Sequence, residues 1–192
     1  MSRRPSAAPG PNADLGPSTG PIVLIGPMAA GKSHLAKYMA RRFGYGYVDS
    51  DAVIVRRHGQ IPAVFASQGE EGFRRIEART IEELLGDPAH RDSIVSLGGG
   101  APMTPAVRDL LQRHMVAYLE IDERTVRGRL RRTGNRPMLE GDPVQRWRDL
   151  FEQRHTTYEE LADIRLQAGG NRPIAKIAAE LHDEIQALRR LH

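Results

Sequence analysis

The chain has no cysteine, so disulfides and thiolate metal sites are excluded. Its seven histidines show no H-E-x-x-H or similar ligand spacing, and a metal centre built on protein side chains is not expected. Aromatic residues are scarce, at 5%, and the basic residues are dispersed along helices and loops. No aromatic-rich basic stripe of the kind used by single-strand binders exists, so no nucleic-acid partner is expected. No apolar run is long enough to span a bilayer, and no apolar segment follows Arg3 and Arg4 as a secretion signal requires. The expectation is a cytoplasmic protein with no membrane partner. Residues 1–20 are rich in Pro, Gly, Ala and Ser and should be disordered, which leaves 21–192 as a single domain large enough for a real core. The charge of +4 and pI near 9.7 come mostly from arginine, whose planar fork suits carboxylates and phosphates.

What is present centres on Gly26-Pro-Met-Ala-Ala-Gly-Lys-Ser33, which matches the phosphate-binding pattern G-x-x-x-x-G-K-[ST] at every position. Pro21–Ile25 before it is a short apolar, β-branched run that reads as a buried parallel strand. Leu35, Met39 and Phe43 after it recur at helical spacing. Strand, Gly-rich loop and helix together aim backbone N–H groups and a helix N-terminus at one point, which suits a polyphosphate. Lys32 is then expected to reach the outer phosphates, and Ser33 to place its hydroxyl on a magnesium ion held by them.

The rest of the chain alternates strands with helices, which implies a parallel sheet covered on both faces. A second strand ends in Asp49-Ser-Asp51. If that segment is extended, residues i and i+2 share a face, and both carboxylates project toward the phosphate loop; the alternative is that one of them caps the helix 52–58. A short helix over 61–67 precedes a longer one over 70–85, with Phe73, Ile76, Thr80 and Leu84 inward and Arg74 and Arg75 beside that face. One of those arginines is expected to be an ordinary surface ion pair. The strand 93–97 runs into Gly98-Gly-Gly100, where the backbone is free to approach something closely. Thr104-Pro105 supplies a cap and a first-turn proline for the next helix. The strand 115–121 is the fourth, and a helix over 123–131 leads to a loop at 132–137 with no apolar anchor, expected to be mobile. The helix 143–161 carries an apolar stripe of Val144, Trp147, Phe151, Tyr158 and Leu161, in which Arg154 occupies an inward slot. A charge in that position requires an anion, either a protein carboxylate or a ligand. A fifth strand at 164–166 and a last helix after Asn171-Arg-Pro173 complete the domain.

With these residues in view, the chain resembles the shikimate kinase family over roughly 21–188. The phosphate loop alone is shared by many families. Asp49-Ser-Asp51, Phe73-Arg-Arg-Ile-Glu77, Leu97-Gly-Gly-Gly100, Arg136-Pro-Met-Leu139 and Arg154 with Tyr158 are far more specific. The resemblance implies a three-layer α/β/α P-loop kinase fold, with a five-stranded parallel sheet of order 2-3-1-4-5 and a mobile lid. It implies transfer of the ATP γ-phosphoryl group to the 3-hydroxyl of shikimate, on the route to chorismate and the aromatic amino acids. By the same resemblance Asp51 binds the shikimate hydroxyls, Arg74 and Arg154 its carboxylate, and Gly98, Gly99 and Gly100 line the substrate pocket. Arg136 is the lid arginine reaching both substrates, and Lys32, Asp51 and Arg136 form the catalytic set. Nucleotide contacts fall to Gly26, Ala29, Ala30, Gly31, Lys32, Ser33 and His34, with Arg132, Arg172 and Pro173 around the adenine. Ser33, and Asp49 through water, hold one Mg2+. The expected partners are shikimate and ATP, and the expected state is a monomer. A gluconate-kinase-like enzyme on the same fold, or a nucleotide-binding regulatory protein with weak catalysis, are the alternatives. The sequence departs from the family where Ala29 replaces the usual glycine and His34 a common hydroxyl residue. If position 29 has positive φ, alanine there is strained by roughly 1 kcal/mol or more.

Overall fold

A computed structural model describes residues 20–133 and 142–191. The expected disordered tail and most of the expected loop, with Arg136, lie outside the described residues, as does the side chain of Arg132.

The first strand, β1 (Ile22–Ile25), is completely buried, and its alternating side chains enter two separate core layers. Ile22 and Leu24 face one layer, Val23 and Ile25 the other. Strand β4 (Met115–Glu120) repeats the division, with Met115, Ala117 and Leu119 on the first side and Val116 and Tyr118 on the second. Burial on both faces is why these strands read as unbroken apolar runs instead of alternating ones. Strands β2 (Gly46–Asp49), β3 (Ser93–Ser96) and β5 (Ile164–Gln167) complete a sheet of order β2-β3-β1-β4-β5. Every pairing is parallel, with Leu24 opposite Ser96 on one side and Ala117 on the other. The order expected from the resemblance is the one found.

Helices α1 (Lys32–Phe43) and α7 (Ile174–Leu191) cover the first layer, to which Trp147 of α6 (Pro143–Leu161) and Val126 of α5 (Glu123–Thr133) also contribute. Helices α2 (Ser50–His58), α3 (Ile61–Gly86) and α4 (Pro105–Leu111) cover the second, together with Tyr158 of α6. The two helices expected over 61–67 and 70–85 are fused into α3 with a kink at Gly69, whose φ of 69° and ψ of 179° are not helical. Thr104 occupies the cap position of α4 as expected but makes no side-chain cap bond; its carbonyl accepts from Val107 and Arg108 instead. Among the described residues no helix is long and apolar enough to cross a membrane.

This topology fixes where a ligand can bind. After β1 the chain turns to one side for β2 and β3 and returns to the other for β4 and β5, so the C-terminal end of β1 is a topological switch point, where open α/β sheets bind ligands.

Candidate active site

The phosphate loop occupies that switch point. Gly26 has a φ of 139°, and a Cβ on it would sit 2.5 Å from the Leu119 carbonyl oxygen, so only glycine lets the strand end turn there. Ala29 has a φ of 65°, in the left-handed region. The alanine is therefore held in a conformation that costs an L-residue about 1 kcal/mol, as its place in the pattern suggested. Three outward-turned carbonyls of the loop are taken up by side chains from α5 and α6. Trp147 Nε1 donates to Met28 O at 3.0 Å, and Arg129 Nη1 donates to Ala29 O and Ala30 O at 2.8 and 2.7 Å. The Lys32 ammonium arches back over the loop to Gly26 O and Pro27 O, at 2.7 and 3.0 Å.

A cleft of about 1200 Å3 runs along the C-terminal edge of the sheet. Ala29, Ala30, Gly31, Lys32, Ser33, His34 and Arg172 line its phosphate-loop end, and Asp49, Asp51, Arg74, Gly98, Gly99, Gly100 and Arg154 line the other. Gly26 and Pro173 do not reach its wall, because Gly26 is packed against Leu119 and the wall beyond Arg172 is made by Ile174 and Ile177. Arg172 is half-buried and tied to Gln167 O and to Glu180 Oε2.

The two aspartates reach this cleft by a different route from the one the extended reading gave. Asp49 ends β2, but Ser50 begins α2, so Asp51 projects from the first helical turn and not from the strand. Asp49 plays both parts weighed for it. Its Oδ1 caps α2 by accepting from Ala52 N at 3.2 Å, while its Oδ2 accepts from Ser33 Oγ at 2.7 Å. A hydroxyl and a carboxylate meeting beside a phosphate loop are hard oxygen donors of the kind magnesium uses when it keeps several waters, so these residues fit the ion. Burial, reinforced by the Asp49 charge, pushes the Asp51 carboxyl above the usual carboxylate range, against the pull of Lys32 and Arg74.

Glu77 is the residue that sequence reasoning passed over as a site group. It takes an inward slot of α3 between Phe73 and Thr80, where Ile76, expected inward, is only half-buried. Arg74 Nη1 donates to its Oε2 at 2.6 Å, and burial still holds the Glu77 carboxyl above its ordinary value. The signal for it was the same as for Arg154: a charge at an apolar position of a helix. Arg75, by contrast, is the exposed surface pair of the two, bonded to Glu71.

The glycines after β3 are explained by these neighbours. A Cβ on Gly98 would lie 2.7 Å from Asp51 Oδ1, and one on Gly100 would lie 2.7 Å from Arg74 Nη2. Gly99 is less constrained, its added Cβ meeting nothing nearer than 3.4 Å, but its carbonyl accepts from the buried Tyr158 hydroxyl at 2.5 Å. Burial pushes the Tyr158 phenol up to about 12. One helical turn before it, Arg154 is half-buried and faces the cleft, and no carboxylate among the described residues forms an ion pair with it. Two cationic side chains, a raised carboxylate and a bare glycine backbone thus converge opposite a phosphate loop, an arrangement able to fix a small hydroxylated acid in front of a nucleotide.

Both the sequence and the fold have known relatives. The shikimate kinase family model matches residues 28–186. A shikimate kinase from Rhodococcus erythropolis is 41% identical over 85% of this chain and 96% of its own length, and one from Halorhodospira halophila is 43% identical over 79% and 85%. The solved shikimate kinase from Acinetobacter baumannii in complex with shikimate superposes with a TM-score of 0.77 at 33% identity, covering 88% of this chain and 93% of that one. With a family model spanning most of the sequence and relatives of this identity and coverage, the chain belongs to the shikimate kinase family.

Proposed function

We propose a division of labour among the cleft residues for the reaction of this family, the ATP-dependent phosphorylation of shikimate at its 3-hydroxyl. The observation that carries it is that one cleft joins Lys32 and Ser33 of a phosphate loop to a second pocket where Asp51, Arg74 and Arg154 converge. Backbone N–H groups of the phosphate loop and the N-terminus of α1 receive the ATP phosphates. Lys32 leaves the carbonyls of Gly26 and Pro27 and turns its ammonium to the outer phosphates. Ser33, with Asp49 through water, holds a magnesium ion whose charge, when bound, offsets that of the phosphates.

Shikimate is oriented from its carboxylate end by Arg74 and Arg154, while Asp51 accepts hydrogen bonds from its hydroxyls. A carboxylate raised above its ordinary range is a stronger base, and Asp51 is the group placed to take the 3-hydroxyl proton. The hydroxyl oxygen forms its bond to the γ-phosphorus as the bond from that phosphorus to the β-phosphate bridging oxygen breaks; ADP leaves and the proton passes to Asp51. Such a transfer runs through a loose transition state, so positioning and charge neutralisation are the main contributions the protein makes.

Coupled ADP release with ATP and magnesium tests the reading. Shikimate should support turnover, and gluconate or no acceptor should not. Turnover on gluconate alone would transfer the site to sugar-acid chemistry, and nucleotide binding without turnover on either would make the chain a regulatory binder.

A further inference from the structure

The loop that receives phosphate contains a strained residue whose carbonyl is not left to water. Ala29 sits at φ 65°, and its carbonyl and that of Ala30 are both taken by one guanidinium nitrogen of Arg129. The preceding carbonyl, of Met28, is taken by the indole of Trp147, which is only 3% exposed and stacked on Phe151. Three consecutive carbonyls are therefore held by side chains, while the Ala30 N–H closes the loop's turn onto Pro27 O at 3.3 Å. The other Arg129 nitrogen donates to Ala168 O at 3.2 Å, beside the Arg172 segment that forms the far wall. Its guanidinium also lies against the loop, 3.3 Å from where a Cβ on Gly31 would be. Arg129 is half-buried, from an inward slot of α5 one turn after Val126.

We propose that Arg129 and Trp147 are positioning residues that hold Ala29 left-handed and the phosphate loop in its nucleotide-receiving form before ATP arrives. The inference rests on the kinase reading of the cleft but concerns the resting loop, not the chemistry. A planar fork can span carbonyls on both walls of the cleft, whereas a lysine ammonium is a single point and cannot. Without the clamp, alanine leaves the left-handed region and nucleotide binding must restore it. With glycine at position 29 the left-handed form is no longer penalised, so the clamp should matter less.

The test is a cycle of Arg129→Met and Ala29→Gly, with Arg129→Lys and Trp147→Phe alongside. Calorimetric binding of MgADP and, separately, of shikimate is measured on each full-length variant. Arg129→Met should weaken MgADP about tenfold when Ala29 is kept and only about threefold when it is combined with Ala29→Gly, a non-additivity expected of residues in contact. Shikimate affinity in the absence of nucleotide should stay within about twofold, because the loop and Ala168 carbonyls that Arg129 holds belong to the phosphate-loop end of the cleft and not to the Asp51, Arg74 and Arg154 end. The ATP KM should rise more than kcat falls, and Arg129→Lys should recover only part of the loss. Trp147, the sole tryptophan, should shift its emission in ligand-free Arg129→Met as the Met28 carbonyl moves. If Arg129 acted only by touching the nucleotide, its loss would be equal with and without Ala29→Gly, and that result overturns the clamp. Equal weakening of MgADP and shikimate would do the same, by reducing Arg129 to a general structural role. Should Arg129→Met not fold, the same comparison is made with Arg129→Lys, alone and combined with Ala29→Gly. Failure of the wild-type protein to phosphorylate shikimate would remove the kinase reading while leaving the MgADP cycle interpretable.

Discussion

Arg74 Nη1 lies 2.6 Å from Oε2 of Glu77, and the two side chains differ sharply in setting, with 23% of the arginine exposed and only 2% of the glutamate. The pair belongs at once to the fold and to the site. Arg74→Leu should strand Glu77 and destabilise the protein by about 3 kcal/mol at neutral pH, besides weakening shikimate. The Glu77 pKa is already raised by burial, and loss of its arginine raises it further. A raised folded-state value means that the group's stability contribution is present at low pH and lost as pH rises through that value. Urea unfolding should therefore show a larger deficit at pH 8 than at pH 5. An equal deficit at both would mean that Glu77 is not the cause.

Arg154 provides the contrast. It faces the same cleft without an ion pair to any carboxylate among the described residues; its charge favours the Glu77 carboxylate only after that of Arg74, which Glu77 keeps, so Arg154→Leu strands no protein anion. Folding stability should change by less than about 1 kcal/mol or rise slightly, while shikimate affinity falls by about 2–4 kcal/mol and ATP affinity is little altered. Melting curves with separate titrations of the two ligands check this. A large stability loss with unchanged shikimate binding would assign Arg154 a structural partner instead.

The sheet and the phosphate loop were legible because they depend on local pattern: strands buried on both faces give continuous apolar runs, and the loop's glycines sit where the backbone turns. Ala29 was legible as a departure whose positive φ is now seen. What the pattern hid was contact across the fold. Asp49-Ser-Asp51 reads equally as a strand end or as the cap of a helix from 52, and only the fold shows that Asp49 is the cap and that α2 starts at Ser50. Glu77 interrupts the apolar face of its helix and Arg129 looks like an ordinary charge of an Arg-rich one, but neither shows its purpose until the partners, Arg74 beside one and the loop carbonyls beside the other, are in place. Arg154 showed itself because its helix has a strong aromatic stripe to interrupt; Val126 and Leu130 give α5 too short a stripe for Arg129 to stand out.

Lys32 and Ser33 should separate activity from folding. Lys32 bonds the Gly26 and Pro27 carbonyls and Ser33 bonds Asp49, and both side chains line the cleft instead of the core. Lys32→Ala and Ser33→Ala should each lower kcat by at least about 100-fold, given how much phosphoryl transfer depends on charge neutralisation, with the midpoint of urea unfolding little changed. Stopped-time measurement of ADP with shikimate, at matched stability, decides it. Near-normal turnover in either variant would remove that residue from the phosphate site.

Asp51 should show opposite effects on catalysis and stability. Its carboxyl is held above the ordinary 3.8 by burial first and by the Asp49 charge second, with Lys32 and Arg74 pulling it back. The folded protein therefore binds this proton more tightly than the unfolded chain does, and the stability contributed by the group is complete below the ordinary value and lost as pH rises through the folded one. At neutral pH the ionised carboxylate is a net burden on the fold, kept for function. Asp51→Asn should raise the melting temperature at pH 7, and that advantage should shrink steadily as pH falls through the raised folded-state value of Asp51 and the wild-type carboxyl takes up its proton. Phosphorylation of shikimate by the same variant should drop by about 10²–10⁴, the usual contribution of a positioned base, while nucleotide affinity is retained. Melting scans across pH and turnover at saturating ATP are the two measurements. A variant that is less stable at pH 7 would mean that Lys32 and Arg74 outweigh burial at this carboxylate, and one that retains full turnover would mean that the hydroxyl proton leaves by another route.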